Sequence, residues 1–326
     1  MGTRIVDVRQ LPAWQFQPLL EAESRAWLED LHWNYSASAE VIAACLEERR
    51  LTGFALVEEG HVRGYCLYFR EGPKGLIGSL FVRLSNSQQN GIDDLLGESI
   101  NALVRSPDVL RIEAQLPHLS LDQIGPYFRS RSFKIYLRQF MTFRLGTAPA
   151  ESLRQAHHAP LNEPSAIPSD FIFDPWQRRY DREAAQLLHQ VYRHHIDAAV
   201  NDQYCTLAGT TRLVESIVRH KGCGEYLQQA SIAAVHRSTG RLAGILGITA
   251  VRERTAHIPQ IAVASGYQGI GLGSMMLRTA FEKLAREQFA EVSLTVTALN
   301  SGAVRLYERL GFRTFREFGA YVWNRT

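Results

Sequence analysis

Gln268-Gly269-Ile270-Gly271-Leu272-Gly273 stands between the apolar run Ile261-Ala262-Val263 and a segment carrying Leu272, Met275, Met276, Ala280 and Leu284. The apolar run reads as a strand, and the spacings of three and four after it place one face of a helix inward. Glycines just before a helix let backbone N–H groups turn toward a ligand, where they and the positive end of the helix dipole favour a phosphate-bearing anion. A Walker loop needs Lys and then Ser or Thr after its last glycine, but Ser274 and Met275 follow Gly273. A dinucleotide fingerprint needs a different glycine spacing and an acidic residue at the end of the next strand, whereas Glu291 lies at its start.

Downstream, Ala290-Glu291-Val292-Ser293-Leu294-Thr295-Val296-Thr297 alternates like a strand and leads into Asn300-Ser301-Gly302-Ala303-Val304-Arg305-Leu306-Tyr307-Glu308-Arg309-Leu310-Gly311-Phe312. Asn300 and Tyr307 lie close to two helical turns apart and project from one side, with the small Ala303 between them. Gln-x-x-Gly-x-Gly followed by Asn-x-x-Ala-x-x-x-Tyr-x-x-x-Gly-Phe resembles the GNAT superfamily of acyl-CoA-dependent N-acetyltransferases.

That resemblance implies an α/β chain, of the α+β kind, whose domains each hold a mixed, mostly antiparallel sheet flanked by helices. It implies acetyl-CoA as the cofactor, with its diphosphate on the backbone of Gly269, Ile270, Gly271, Leu272, Gly273 and Ser274, and with Gln268 fixing the approach. Ile261, Ala262 and Val263 would offer main chain to the pantetheine and the thioester, a donor toward the thioester oxygen acting as an oxyanion hole. Tyr307 would be the general acid that protonates the departing thiolate. Asn300 would bond the cofactor or cap the final helix, a position that suits Asn. Some relatives that acetylate protein N-termini use a Glu as base in the strand before the Asn. Thr295 holds that position here and cannot serve, which leaves His257 and Glu253 as candidates and the base unassigned.

The 326 residues allow two domains, each able to bury a core, and 45% apolar with 21% charged residues is the composition of a globular protein. A net charge of +3 gives no reason to expect nucleic acid or an anionic membrane as partner. Cys45, Cys66, Cys205 and Cys223 are scattered without C-x-x-C pairs, and adjacent His194 and His195 make a poor metal pair on a helix, so neither metal nor disulfide is expected. Arg4, Asp7 and Arg9 interrupt any opening apolar run, and Val6 departs from the myristoylation pattern that Met1-Gly2 begins. The cytoplasm is the expected compartment.

Five prolines between Gly146 and Pro175 read as an extended connector. The expected division is therefore residues 1–148, a linker over 149–169, and 170–326. The first part repeats the order of the second: Gly78-Ser79-Leu80-Phe81-Val82 stands for the strand ending at Val263, Gln88 to Asp93 for Gln268 to Gly273, and Tyr127-Phe128 to Phe133 for Leu306 to Phe312. Asp93 replaces the last glycine, Ser132 the glycine of Gly-Phe, and Phe128 falls on Tyr307 without its hydroxyl. The first part reads as a degenerate copy, in which Trp14, Trp27, Trp33 and Tyr35 are expected to be core aromatics.

Three functions are weighed: acetyl transfer from acetyl-CoA to a small-molecule or peptide primary amine by direct attack in a ternary complex, a non-catalytic acyl-CoA sensor, and a nucleic-acid module. No cysteine lies in the motif stretch to carry an acyl group, and no basic stretch interleaved with aromatics favours the third. The polar segment from Tyr192 to Tyr204 is expected to line the acceptor cleft, with His194 and His195 on a solvated face. Tandem relatives with one active half include the mycothiol synthases, but layout does not fix the amine, and nothing in the residues fixes the oligomeric state.

Overall fold

The computed structural model describes residues 3–83, 88–145 and 170–325. The contacts divide the chain into two compact units, Met1–Arg138 with Glu317–Thr326, and Gln139–Arg316. The division differs from the expected one at both ends of the second part. Gln139 to Leu145 joins the second unit because Met141 and Phe143 sit in its core. The last ten residues join the first unit, where Tyr321 stacks on Phe128 with ring centroids 3.9 Å apart. The linker expected over 149–169 lies outside the described residues, as do Met1 and Gly2.

In the second unit, Phe171–Pro175, Ile232–His236, Leu242–Arg252, Thr255–Val263 and Glu291–Thr297 lie side by side in that order. The described pairs are antiparallel except that Thr255–Val263 runs parallel to Glu291–Thr297. Alternate residues feed two cores. Leu246, Ile248, Ala256 and Ile258 meet Leu272, Met276, Phe281 and Leu284 of the helix Leu272–Arg286, whereas Ala233, Ile245 and Ala262 meet Trp176, Leu188 and Val214. Period-two alternation in strands and a three-four apolar stripe in helices require this layering. Burial of each large side chain contributes about 1.5–3 kcal/mol.

The first unit has the same plan. Lys74–Val82 pairs antiparallel with His61–Glu71 and parallel with Arg111–Gln115. Phe133 stands edge-on to Phe128 as Phe312 does to Tyr307. Ser132 holds φ +63° where Gly311 holds +95°, so the turn geometry survives the loss of its glycine. The diphosphate turn does not survive: Gly91 lies inside the helix Gln88–Val104 instead of before it. Among the aromatics expected in the core, Tyr35 is buried and Trp27 and Trp33 are half-buried, but Trp14 is 71% exposed. In the short turn Ala13–Phe16 it is Phe16 that enters the core.

Candidate active site

The parallel register runs from Thr255 opposite Glu291 to Ile258 opposite Leu294 and ends there. Past that point Thr255–Val263 stays paired on its other edge, Ile261 opposite Leu246 and Val263 opposite Gly244, so a gap opens between it and Thr295–Thr297. Successive peptide groups of a strand point to opposite edges. The carbonyl oxygen of Ile261 accepts from the Tyr192 hydroxyl at 2.7 Å, and that of Val263 accepts from Gln268 Nε2 at 3.0 Å. Ile261 and Val263 therefore present main chain to the gap. Ala262, expected to do the same, turns the other way: it sits opposite Ile245, and its side chain is buried beside Trp176.

Gly269 and Gly271 shape the turn, with φ of +79° and +86°, a region costly for any residue with a Cβ. No heavy atom outside the adjoining residues lies within 4 Å of where a Cβ would stand on either, so that side of the turn is open. Gly271 is the N-cap of Leu272–Arg286 with no side-chain cap, and Met275 N–H bonds back to its carbonyl at 3.0 Å. The first N–H groups of that helix, from Leu272, Gly273 and Ser274, thus point out of its end. Gly273 has no such backbone demand, since a Cβ there would meet Val263 Cγ2 at an ordinary 3.6 Å. Ile270 is exposed and Leu272 is buried in the core, so either could serve a ligand only through its backbone.

Tyr307, on the helix Ser301–Arg309, is 7% exposed and stands edge-on to Phe312 with centroids 5.7 Å apart. Burial first, and then the charge of Asp197, push its phenol well above the ordinary range, so it keeps its proton at any working pH. Asn300 caps the same helix, its Oδ1 accepting from Ala303 N–H at 3.2 Å. That bond orients the helix carrying Tyr307 and engages one lone pair of Asn300.

The segment from Tyr192 to Tyr204, expected to line the acceptor cleft, meets both parting strands. The helix Asp181–Tyr192 stops early, and His195, extended at φ −85° and ψ 159°, caps a short helix Ile196–Val200 by accepting from Asp197 N–H at 3.2 Å. His195 is thus a capping residue and not part of a solvated face, whereas His194 is exposed. Asp197 accepts from the Thr297 hydroxyl, at the end of the parting strand. Tyr192 stacks on Tyr204 at 4.6 Å, and the Tyr204 hydroxyl donates to Gln260 Oε1 at 2.7 Å. No local pattern signals that Asp197 meets a strand 100 residues later.

His257 is buried against Ser293, its Nδ1 2.9 Å from the Ser293 hydroxyl oxygen, and desolvation lowers its pKa to about 3. It stays neutral, four positions before Ile261. Glu253 is exposed in the turn at the opposite end of that strand, away from the gap. Among the described residues no group of three or more His, Cys, Asp or Glu is placed to hold a metal, and no helix is long and apolar enough to cross a membrane.

Residues 215–312 match the model of the Acetyltransferase (GNAT) family. The chain is 34% identical over 68 residues to N-alpha-acetyltransferase 30 of Saccharomyces cerevisiae, a match spanning 21% of this chain and 39% of that protein. Its fold resembles a tandem GNAT protein from the clavulanic acid biosynthesis pathway, at a TM-score of 0.60 and 16% identity over 99% of this chain and 98% of the other. It also resembles a GCN5-related N-acetyltransferase from Sphaerobacter thermophilus, at 0.64 and 15% over 99% and 95%. The glycine turn, the parted strands and the Asn300–Tyr307 helix all fall inside the stretch that matches the Acetyltransferase (GNAT) family model, and the fold around them resembles that of solved GNAT proteins.

Proposed function

We propose that the second unit is an N-acetyltransferase that moves acetyl from acetyl-CoA to a primary amine of a small molecule or peptide, by direct attack in a ternary complex. The observation that supports this is the parting of Thr255–Val263 from Glu291–Thr297, which leaves the outward peptide edge of Ile261 and Val263 just before an open glycine turn. Tyr307 keeps its phenol proton through burial and then the charge of Asp197, which is bonded to Thr297 at the end of the parting strand. The residues fit the cofactor: a turn with no Cβ on its open face, and an uncapped helix end behind it, suit a diphosphate. Bound there, acetyl-CoA would supply an acyl group already activated as a thioester.

Each chain residue then has a separable task. The peptide edge at Ile261 and Val263 offers donors for the pantetheine arm and for negative charge on the acyl oxygen. Tyr307 holds a proton on its phenol oxygen and gives it to the departing sulfur, and the buried ring cannot lose that proton to water first. Asp197, by raising the phenol, keeps it in the form an acid needs. Cys223 is pushed further toward the unreactive thiol by burial, which supports direct attack over an acyl-enzyme at that residue. A screen of amine classes for acetyl-dependent thiol release tests the assignment. Release with one or more amines, abolished by Tyr307→Phe, is the expected result; none with any amine, while acetyl-CoA still raises the melting temperature, would favour a sensor.

A further inference from the structure

We propose that Asp197 receives the ammonium group of the acceptor, and that it confines acceptors to primary amines with no carboxylate on the amine-bearing carbon. This rests on the acetyl-transfer reading above. The carboxylate is tethered at the lip of the gap: Thr297 Oγ1 donates to Asp197 Oδ1, and Thr297 ends the strand that parts from Ile261 and Val263. His195 fixes the backbone beneath it, its Nδ1 accepting from Asp197 N–H at 3.2 Å to cap the helix on which Asp197 stands. The side chain of Asp197 is 17% exposed, so it is held in place yet reached from solvent.

The charge of Asp197 acts on the phenols of Tyr307 and Tyr192, the second of which bonds Ile261 at the edge of the gap. It adds to the upward push on Tyr307, and to that on Tyr192 after burial and the Tyr204 and Tyr307 rings. The carboxylate thus stands within electrostatic reach of both phenols, beside Thr297 at the end of the parting strand. The stacked rings of Tyr192 and Tyr204 continue the wall beside it, and aromatic faces attract a cation. An ammonium group gains a charge-assisted hydrogen bond at such a place. A free α-amino acid carries a carboxylate two bonds from its nitrogen, and that anion would be forced toward Asp197. Decarboxylated amines and neutral esters are free of this repulsion.

The test compares matched probes on the full chain: phenethylamine with phenylalanine, tyramine with tyrosine, and putrescine with ornithine. Two readouts are used, thiol release from acetyl-CoA and the amine-dependent rise in melting temperature with CoA present. The wild type should favour the amine of each pair that reacts or binds by about 10-fold or more. Asp197→Asn retains an oxygen for Thr297, and should raise KM for the amines by on the order of 10- to 100-fold and erase the preference. Its acetyl-CoA-dependent rise in melting temperature should remain. Equal use of amine and amino acid by the wild type, or an unchanged preference in Asp197→Asn, would overturn the proposal. The wild-type comparison stands even if the variant fails to fold. Thiol release from no probe leaves acetyl transfer to be decided by the wider amine screen, while the amine-dependent shift decides the role of Asp197.

Discussion

The Tyr192 hydroxyl donates to the carbonyl oxygen of Ile261 across 2.7 Å, joining the end of the first helix of the second unit to the strand edge that faces the gap. Tyr192 is half-buried, and removing its hydroxyl leaves the carbonyl without this donor. Tyr192→Phe should cost about 1–3 kcal/mol of stability, read by urea unfolding. The same variant should alter acetyl-CoA binding, read by titration calorimetry, because the peptide edge it steadies is the one proposed to hold the pantetheine.

Tyr307→Phe removes only an oxygen and leaves the edge-on contact with Phe312 in place. The fold should survive, with a melting temperature close to that of the wild type. The kcat should fall by about 10²–10⁴-fold, the usual share of a general acid, with KM for acetyl-CoA little changed.

At high pH the two phenols work against the fold. Those of Tyr192 and Tyr307 are raised by burial, so the unfolded chain releases their protons from about pH 10 while the folded chain keeps them. Their contribution is complete below that pH and is lost as pH climbs past it. Absorbance near 295 nm should show phenols that ionise only as the chain unfolds; smooth titration of every tyrosine in a folded chain would contradict this.

His257 gives the opposite limb. Its pKa falls from 6.5 to about 3 by desolvation, so as pH drops through that window the unfolded state takes up a proton that the folded state refuses. Stability should decline by up to about 1.4 kcal/mol per pH unit from this residue alone. Urea unfolding at pH 7 and pH 5 should show a smaller loss in His257→Gln than in the wild type.

Gly271→Ala places a Cβ on a residue at φ +86° where the space is open, so the cost is backbone strain of about 1–2 kcal/mol and not a clash. Relaxing that strain tilts the helix end, and the acetyl-CoA-dependent rise in melting temperature should shrink. In the first unit, Ser132→Gly relieves the left-handed strain at φ +63° and should stabilise by up to about 1 kcal/mol, measured by thermal unfolding.

Local chemistry made part of this protein legible from its residues alone. Gly269 and Gly271 announced a left-handed turn because only glycine adopts it cheaply, the spacing from Asn300 to Tyr307 put both on one helix, and the echo of Gly311-Phe312 in Ser132-Phe133 exposed the repeat. Each of these signals lies within a few residues of its consequence. The orientation of Ala262 away from the gap required the register with Leu242–Arg252, which no local pattern specifies. The meeting of Asp197 with Thr297, and of Tyr192 with Ile261, required two elements far apart in the chain to pack on one strand edge. So did the passage of the last ten residues into the first unit. Periodicity reports which face of an element is buried; which distant element buries it is decided by the packing of whole layers, and the contacts of Tyr192 and Asp197 with the two parting strands are of that kind.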